Sequence, residues 1–286
     1  MAAVRSPVTP RRLARDTQQD DDGSGTARIS VIIPAYNEER MLPRLLAGLD
    51  EAKRRYRAGA DRVETIVADN GSSDATATIA ESHGCVVVPV GPRIIGAVRN
   101  AGARAARGRV LAFVDADTQV HPETLNAIED YFSTDRWIVG VSGAIPERRS
   151  LGITLSWLML GLSAIVARYG IPRRFSECAA TGVVCCRKAD WAAVGGYSER
   201  WLMAEDVWLL LDLGRLGRRR GQRCGWLTGA PAVFSTRKFD VYGDWHYLTA
   251  PTRLALLALF HRPGADGWVR RYWYGEQREP PASRVR

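Results

Sequence analysis

Strand-like and helix-like stretches alternate along the first half of this 286-residue chain, and this alternation limits the fold more than any other feature. Apolar runs typical of strands buried on both faces begin near Ile29, Val63, Cys85 and Arg109. Stretches with helical apolar spacing lie between them, the clearest from about Glu39 to Tyr56. This order predicts an α/β fold, with a mostly parallel central sheet and helices on both of its faces.

Polar loops follow three of the predicted strands. They read AYNE from residue 35, ADNGSSD from residue 68 and DADT from residue 115. Open parallel sheets bind their ligands beyond the carboxyl ends of the strands, so we expect the three loops to line one crevice. Asp115 and Asp117 either form an acidic turn there or hold a divalent cation beside a phosphate-bearing ligand.

The overall charge is a weaker guide to function than these loops. The chain carries a formal net charge of +9, yet only three of its 40 basic residues are lysines. So strong an arginine bias is as typical of a GC-rich genome as of a binding surface, and no recognised nucleic-acid motif accompanies it. The five cysteines form no CxxC pair, which argues against a disulfide framework or a zinc site. We expect reduced thiols, a cytoplasmic location and no nucleic-acid partner.

Composition also divides the chain. Residues 1–27 are polar and proline-containing, with no apolar run typical of a signal peptide, and are expected to form a disordered tail. Residues 28–240 are expected to form a single domain, and residues 241–286 a helical C-terminal extension that could face a membrane.

Five stretches stand in an informative order between Ser30 and Leu210: SVIIPAYNEE, VADNGSSDAT, VRNAGARAARGRVLAFVDADT, VGGY and AEDVWL. In this order they resemble the motifs of the inverting nucleotide-sugar glycosyltransferases of family 2. The resemblance implies a GT-A fold, which has a Rossmann-like sheet. It also implies a hexosyltransferase-type enzyme that uses a UDP- or GDP-linked sugar and a divalent cation.

The DxD motif of that family falls on Asp115 and Asp117. The resemblance implies that Asp117 coordinates Mg²⁺ or Mn²⁺, and that Asp115 shares the ion or holds the ribose side of the donor. His246 could supply a third metal ligand, although a lone histidine beside a tryptophan is more often a packing residue.

Other positions match the family's nucleotide-sugar pocket. Asp69 is expected to bind the base, with a turn-forming role as the alternative. Pro34, Tyr36 and Glu38 are expected in the first loop, near base and ribose, although Glu38 could only cap the following helix. A further set matches basic residues near the diphosphate: Arg99, which could instead be a surface residue, and Arg237 and Lys238.

An inverting transfer needs a base opposite the leaving group. The family takes it from the acidic pair Glu205–Asp206, and we expect Asp206 to be the base, with Glu205 positioning acceptor or donor. The alternative is that both acids only favour the dipole of a helix N-terminus.

Two apolar regions bear on the acceptor. Residues Ser150–Ala167 carry no charge and have arginines on both flanks, which suits either a core helix or a helix in the membrane interface. The same two interpretations, contact with a membrane or packing against the domain, apply to two C-terminal segments. These are TRLALLALFH, from Thr252, and WVRRYWY, from Trp268. They favour peripheral contact with the inner face of the cell membrane and a lipid-linked acceptor such as a polyprenyl phosphate.

Two functions remain open at this point. The first is a metal-dependent inverting glycosyltransferase, and the second is a non-catalytic nucleotide-binding or scaffold protein that retains the fold. An intact Asp206 favours the first, because a binding module needs no base.

Overall fold

The computed structural model of the protein describes residues 27–91, 94–155, 182–200 and 205–245. One sheet of eight strands runs through these residues. The strands are β1 Ile29–Ala35, β2 Val63–Asp69, β3 Val86–Pro89, β4 Val110–Val114, β5 Thr118–Gln119, β6 Trp137–Pro146, β7 Val183–Arg187 and β8 Arg223–Phe234. The helices are α1 Leu42–Arg55, α2 Thr76–Ser82, α3 Ile95–Ala105, α4 Thr124–Phe132, α5 Lys188–Ala193, α6 Glu205–Arg220 and α7 Arg237–Tyr242.

Four neighbouring strands form the parallel half of the sheet, in the order β3-β2-β1-β4. The register sets Ile29 of β1 beside Val63 of β2 and Val110 of β4, so the three strands begin at the same edge. The prediction of a parallel sheet from the alternating strands and helices is confirmed here.

The other four strands form a mixed half, in the order β7-β6-β8-β5. Here β7 runs antiparallel to both β4 and β6, and β8 is parallel to β6 but antiparallel to β5. The apolar pattern did not predict these reversals, because it reports the burial of a strand and not the direction of its neighbour.

Buried side chains cover both faces of the sheet. Along β1, Val31 and Ile33 pack into one apolar cluster while Ile32 packs into the other, as the alternation of side chains along a strand requires. The first cluster includes the apolar stripe of α1 and the second includes the inner face of α6. Gly102 allows α3 to lie close to β1, because a Cβ there would stand 2.6 Å from Cγ2 of Ile32.

The first helix begins later than its apolar pattern predicts. Residues 39–41 form a turn, and α1 starts at Leu42 with a proline in its first turn. Proline suits that position because the first helical N–H groups have no intrahelical acceptor.

Several predictions lie outside the described residues: the N-terminal tail, most of the uncharged stretch that begins at Ser150, and the apolar segments beyond residue 245. The boundary placed between residues 240 and 241 falls inside α7, and this division of the chain stays a prediction. No helix within the described ranges has the length and apolarity to cross a membrane.

Candidate active site

The first two polar loops are joined by reciprocal hydrogen bonds at the carboxyl ends of β1 and β2. The Asn37 backbone N–H donates to the Ser72 hydroxyl at 3.0 Å, and the Ser73 N–H donates to Oδ1 of Asn37 at 2.8 Å. Asn37 has a φ of 51°, a left-handed conformation that asparagine tolerates better than most residues. Asp74 accepts from the N–H groups of Glu39 and Thr76, so it ties the first loop to the start of α2. The first two loops therefore lie together at the carboxyl ends of their strands, as expected.

Asp69 lies buried at the end of β2. Its carboxylate accepts from the Ser72 hydroxyl at 2.5 Å and from the Ser72 N–H at 3.3 Å. The turn-forming role is thus present in the structure, and base binding stays a prediction. Asn70, beside it, donates from Nδ2 to the Val90 carbonyl at 3.0 Å.

Asp115 and Asp117 follow β4 at the same edge of the sheet. A tight turn, in which the Thr118 N–H donates to the Asp115 carbonyl at 3.0 Å, separates them from β5. The Asp115 side chain is 54% exposed and that of Asp117 is 26% exposed. Both carboxylates are therefore accessible to a ligand, and their role as a metal-binding pair rather than an acidic turn stays a prediction.

Arg99 is the centre of the site on the other side of the turn. It projects from α3, and its side chain is 6% exposed, so the surface-residue alternative is wrong. Its guanidinium lies 2.7 Å from Oδ1 of Asp115, 2.5 Å from Oε1 of Glu205 and 3.1 Å from Oδ1 of Asp206. One cation thus holds the DxD turn and the acidic pair of α6 together; we call these four residues the Arg99 centre.

Asp206 has two unlike carboxylate oxygens. Oδ1 is buried and has no hydrogen-bond partner of good geometry among the described residues, although the side chain as a whole is 31% exposed. The exposure therefore belongs to the rest of the group, including Oδ2. Burial raises the pKa of Asp206 to about 7, with Arg99 acting in the opposite direction and Glu205 and Asp115 adding to the rise. A pKa near neutrality suits a general base.

A second arginine joins the first loop to the DxD turn from α7. Arg237 binds Glu38 through two hydrogen bonds of 3.0 Å each and also reaches Oδ2 of Asp117 at 3.3 Å. The side chains of Glu38 and Arg237 are 6% and 21% exposed. We call these three residues the Arg237 centre. The Glu38 carboxylate is thus directed at Arg237, while its backbone carbonyl accepts from the Leu42 N–H at the start of α1.

The remaining predicted residues are distributed as follows. Pro34 lies in β1, paired with Ala68 of β2, and Tyr36 is the first residue after β1. Lys238 is the second residue of α7, but its side chain is not among those described. His246 lies outside the described residues, so its role as a metal ligand stays a prediction.

Sequence reasoning missed Tyr197 and Asn100. Asn100 follows Arg99 on α3, and its amide donates to the Tyr197 carbonyl and accepts from the Tyr197 N–H, both at 2.8 Å. The Tyr197 ring is buried, with the Arg99 guanidinium carbon 5.3 Å from its centroid. The adjoining RN and GGY motifs carried this signal, because a glycine pair followed by an aromatic residue suggests a close turn.

No group of three or more metal-ligating side chains occurs among the described residues. Two exposed carboxylates nonetheless suit Mg²⁺ or Mn²⁺, since Mg²⁺ in particular is commonly held by one or two carboxylates together with substrate phosphates and water. The donor set at Asp115 and Asp117 therefore fits a cation that arrives with a diphosphate.

Comparison with known proteins places this geometry in context. Residues 30–178, just over half of the chain, match the family model described as Glycosyl transferase family 2. A 4,4'-diaponeurosporenoate glycosyltransferase from Staphylococcus haemolyticus is 36% identical over 135 residues, which cover 44% of this chain and 34% of that protein. A dolichyl-phosphate beta-glucosyltransferase from Drosophila melanogaster is 36% identical over 159 residues, covering 52% of this chain and 46% of that protein. The matches therefore span between a third and a half of the length of these relatives.

A solved structure agrees with the fold. Glucosyl-3-phosphoglycerate synthase from Mycobacterium tuberculosis, in complex with Mn²⁺, UDP and glucosyl-3-phosphoglycerate, superposes with a TM-score of 0.54 at 19% identity. The match covers 83% of this chain and 81% of that one. The predicted GT-A fold is confirmed.

Proposed function

The chain belongs to glycosyl transferase family 2, and we propose that it moves a sugar from a nucleoside-diphosphate donor to an acceptor with inversion at the anomeric carbon. The observation that carries this proposal is the Arg99 centre. It brings the DxD turn and a carboxylate with the pKa of a general base to one edge of the sheet.

The donor would lie across the carboxyl ends of β1, β2 and β4. Asp69 and Tyr36 would contact the nucleoside, and Asp115 and Asp117 would hold a divalent cation that neutralises charge on the diphosphate leaving group. Arg237 and Lys238 are the further cations available to that group. UDP is the first nucleotide to test, because the M. tuberculosis synthase was solved with UDP and Mn²⁺.

The acceptor would approach Asp206 from the crevice. Oδ2 takes the proton of an acceptor hydroxyl as its oxygen attacks the anomeric carbon. The bond between that carbon and the diphosphate oxygen breaks, and the electron pair leaves with the diphosphate. Attack opposite the leaving group inverts the anomeric centre, and Glu205, held by Arg99, helps to orient the acceptor.

A polyprenyl phosphate is the first acceptor candidate, because the Drosophila relative is a dolichyl-phosphate glucosyltransferase. A neutral hydroxyl is the second, and the charges of the site favour it. Three carboxylates surround one guanidinium in the Arg99 centre, which would repel an anionic acceptor. A phosphate, which is already ionised near neutral pH, would also gain little from a base such as Asp206.

A donor and acceptor panel tests the proposal. Purified protein would be incubated with UDP- and GDP-sugars and Mn²⁺, with a polyprenyl phosphate or a hydroxyl-bearing lipid or saccharide as acceptor. Mass spectrometry would detect the glycosylated product, and NMR of its anomeric proton would report inversion. Transfer to a hydroxyl alone supports the second acceptor class. Binding of UDP without turnover on any acceptor would favour the non-catalytic alternative.

Peripheral contact with the inner face of the cell membrane belongs to the same proposal. It is supported by the arginines that flank the uncharged stretch 150–167 in the sequence, among them Arg149 and Arg168, and by the exposed side chains of Leu151 and Trp245. Liposome flotation at low and high salt is the test. Co-flotation with anionic vesicles, reversed by salt, is expected, because arginines near an anionic surface are attracted through a screened potential. Protein that stays at the bottom of the gradient under every condition contradicts membrane contact.

A further inference from the structure

Tyr197 is buried against the Arg99 centre, and its hydroxyl makes no hydrogen bond that would stabilise the fold among the described residues. The hydroxyl oxygen has no hydrogen-bond partner of good geometry among the described residues, and neither does Oδ1 of Asp206. The hydroxyl nevertheless lowers the pKa of Asp206, while burial and the Asp206 charge raise the pKa of Tyr197. Both groups lie against Arg99, whose guanidinium carbon is 5.3 Å from the Tyr197 ring centroid and whose Nη1 is 3.1 Å from Oδ1 of Asp206. Buried polar atoms without partners are rare enough to need an explanation.

The surrounding chain holds the Tyr197 ring in place. Asn100 fixes the backbone on both sides through its amide, and Phe113 contacts the ring edge-on at a centroid distance of 4.9 Å. Gly196 has a φ of 74°, and a Cβ there would stand 2.7 Å from Oδ1 of Asn100. A ring so constrained stays against Arg99 and keeps its hydroxyl at one place.

Arg99 reaches the same place from α3. Its two terminal nitrogens contact Asp115, Glu205 and Asp206, whereas its buried Nε has no hydrogen-bond partner among the described residues. All three carboxylates lie within 3.1 Å of the guanidinium nitrogens, so this side chain is already committed to protein groups. That commitment sets it apart from a residue whose task is to bind the donor diphosphate.

We propose that Arg99 and Tyr197 are positioning residues that act on Asp206 from beneath. Arg99 holds the acidic pair against the DxD turn, and the Tyr197 hydroxyl donates to Oδ1 of Asp206 when that carboxylate is ionised. Oδ2 is thereby left directed towards the acceptor. This inference rests on the proposed transferase function and replaces the diphosphate contact expected for Arg99.

Tyr197→Phe tests the hydroxyl because it removes one atom and keeps the packed ring. We expect kcat to fall about tenfold, the scale of one hydrogen bond, with KM for the donor unchanged. The acidic limb of the kcat/KM profile should move to higher pH, since the group that lowers the pKa of Asp206 is lost. The other charges that face Asp206, namely Arg99, Glu205 and Asp115, are the same in both proteins.

Tyr131→Phe is the matched control. Tyr131 is also a buried tyrosine, but its hydroxyl donates to the Val139 carbonyl at 2.9 Å, away from the site. Its loss should lower the melting temperature while kcat and the pH profile stay the same. Equal losses of kcat in the two variants would mean that Tyr197 has only a structural role.

Arg99→Lys tests the second half of the proposal. Lysine keeps the charge but cannot reach three carboxylates with a planar fork, so kcat should fall about 100-fold. Calorimetric affinity for UDP measured with a chelator should stay within about threefold, because that measurement leaves out the cation at Asp115, which Arg99 also contacts. A loss of UDP affinity as large as the loss of kcat would instead make Arg99 a donor ligand and overturn this assignment.

An activity-independent measurement separates this inference from the proposed function. The Asp206 carboxyl carbon can be titrated by ¹³C NMR and assigned with Asp206→Asn. We expect a higher midpoint in Tyr197→Phe than in the wild type, and an unchanged midpoint overturns the role of the hydroxyl. If no donor and acceptor give turnover, the proposed function fails, while this titration still decides whether Tyr197 acts on Asp206.

Discussion

Two arginine centres join the parallel half of the sheet to the rest of the molecule, and they differ in burial and in number of partners. Arg99 is 6% exposed and contacts three carboxylates, whereas Arg237 is 21% exposed and contacts two. Arg99 reaches outward from the parallel half to α6, and Arg237 reaches back from α7 to the first loop and the DxD turn. The deeper centre is suited to hold a fixed geometry. The shallower one is suited to exchange partners when a cation and a diphosphate reach Asp117.

The largest expected effect is on folding stability at the deeper centre. Arg99→Met keeps much of the side-chain volume but leaves carboxylates without their cation, and it should cost about 3–5 kcal/mol in the free energy of unfolding. Arg237→Met should cost less, about 2 kcal/mol, because Arg237 has two carboxylate partners rather than three and one of them, Asp117, is 26% exposed. Urea denaturation of both variants measures the difference. Similar costs would remove the distinction between the two centres.

Loss of the base should have the next largest effect. Asp206→Asn keeps the size of the side chain but cannot take a proton, so turnover should fall by about 100-fold or more. UDP affinity in the presence of Mn²⁺ should change by only a few-fold, because Asp206 lies in the centre that positions the base. Steady-state kinetics and calorimetry together test this. Substantial activity in the Asn variant would move the base elsewhere, first to Glu205.

The parallel half of the sheet could be predicted from the amino-acid sequence, and the two centres show why the rest could not. The loops after β1, β2 and β4 lie next to strands with clear apolar runs, so the apolar pattern alone assigns Asp69, Asp115 and Asp117 to one edge. Arg237 and Glu38 are 199 residues apart, and no local pattern reports that pairing. The strand directions of the mixed half could not be predicted either, because strand direction depends on long-range packing.

Tyr197 illustrates a different limit. The GGY turn could be recognised, and an aromatic residue after two glycines could be expected to pack. That the ring packs against Arg99, which is itself paired with Asp206, depends on the approach of α6 and α3, which sequence spacing does not describe. The resemblance led us to expect Arg99 near the diphosphate, and the structure has it beside the DxD turn. Its contacts with three carboxylates came only from the fold.

Asp117→Asn should give an intermediate effect at the shallower centre. Removing one of two carboxylates near the cation should weaken Mn²⁺-dependent UDP binding by about tenfold, while binding measured with a chelator should stay the same. The melting temperature should change little, because Arg237 retains its two hydrogen bonds to Glu38. Calorimetry with and without chelator measures this. Equal UDP affinity in the wild type under both conditions would remove the metal assignment from Asp115 and Asp117.

The smallest expected effect near neutral pH comes from Asp206 itself. Its pKa is raised to about 7, chiefly by burial, so the folded protein holds a proton there that the unfolded chain has already lost. The raised pKa therefore makes the Asp206 carboxyl oppose folding increasingly as pH rises from about 4 towards 7. The ionised base that catalysis needs becomes the major form only above pH 7. We therefore expect kcat/KM at pH 7 to be about half its value at pH 8, and about tenfold lower than at pH 8 by pH 6. The residual activity of Asp206→Asn should lack this step. A wild-type profile that stays flat from pH 6 to 8 would mean that Asp206 is not the titrating base, and the deeper centre would then have only a structural role.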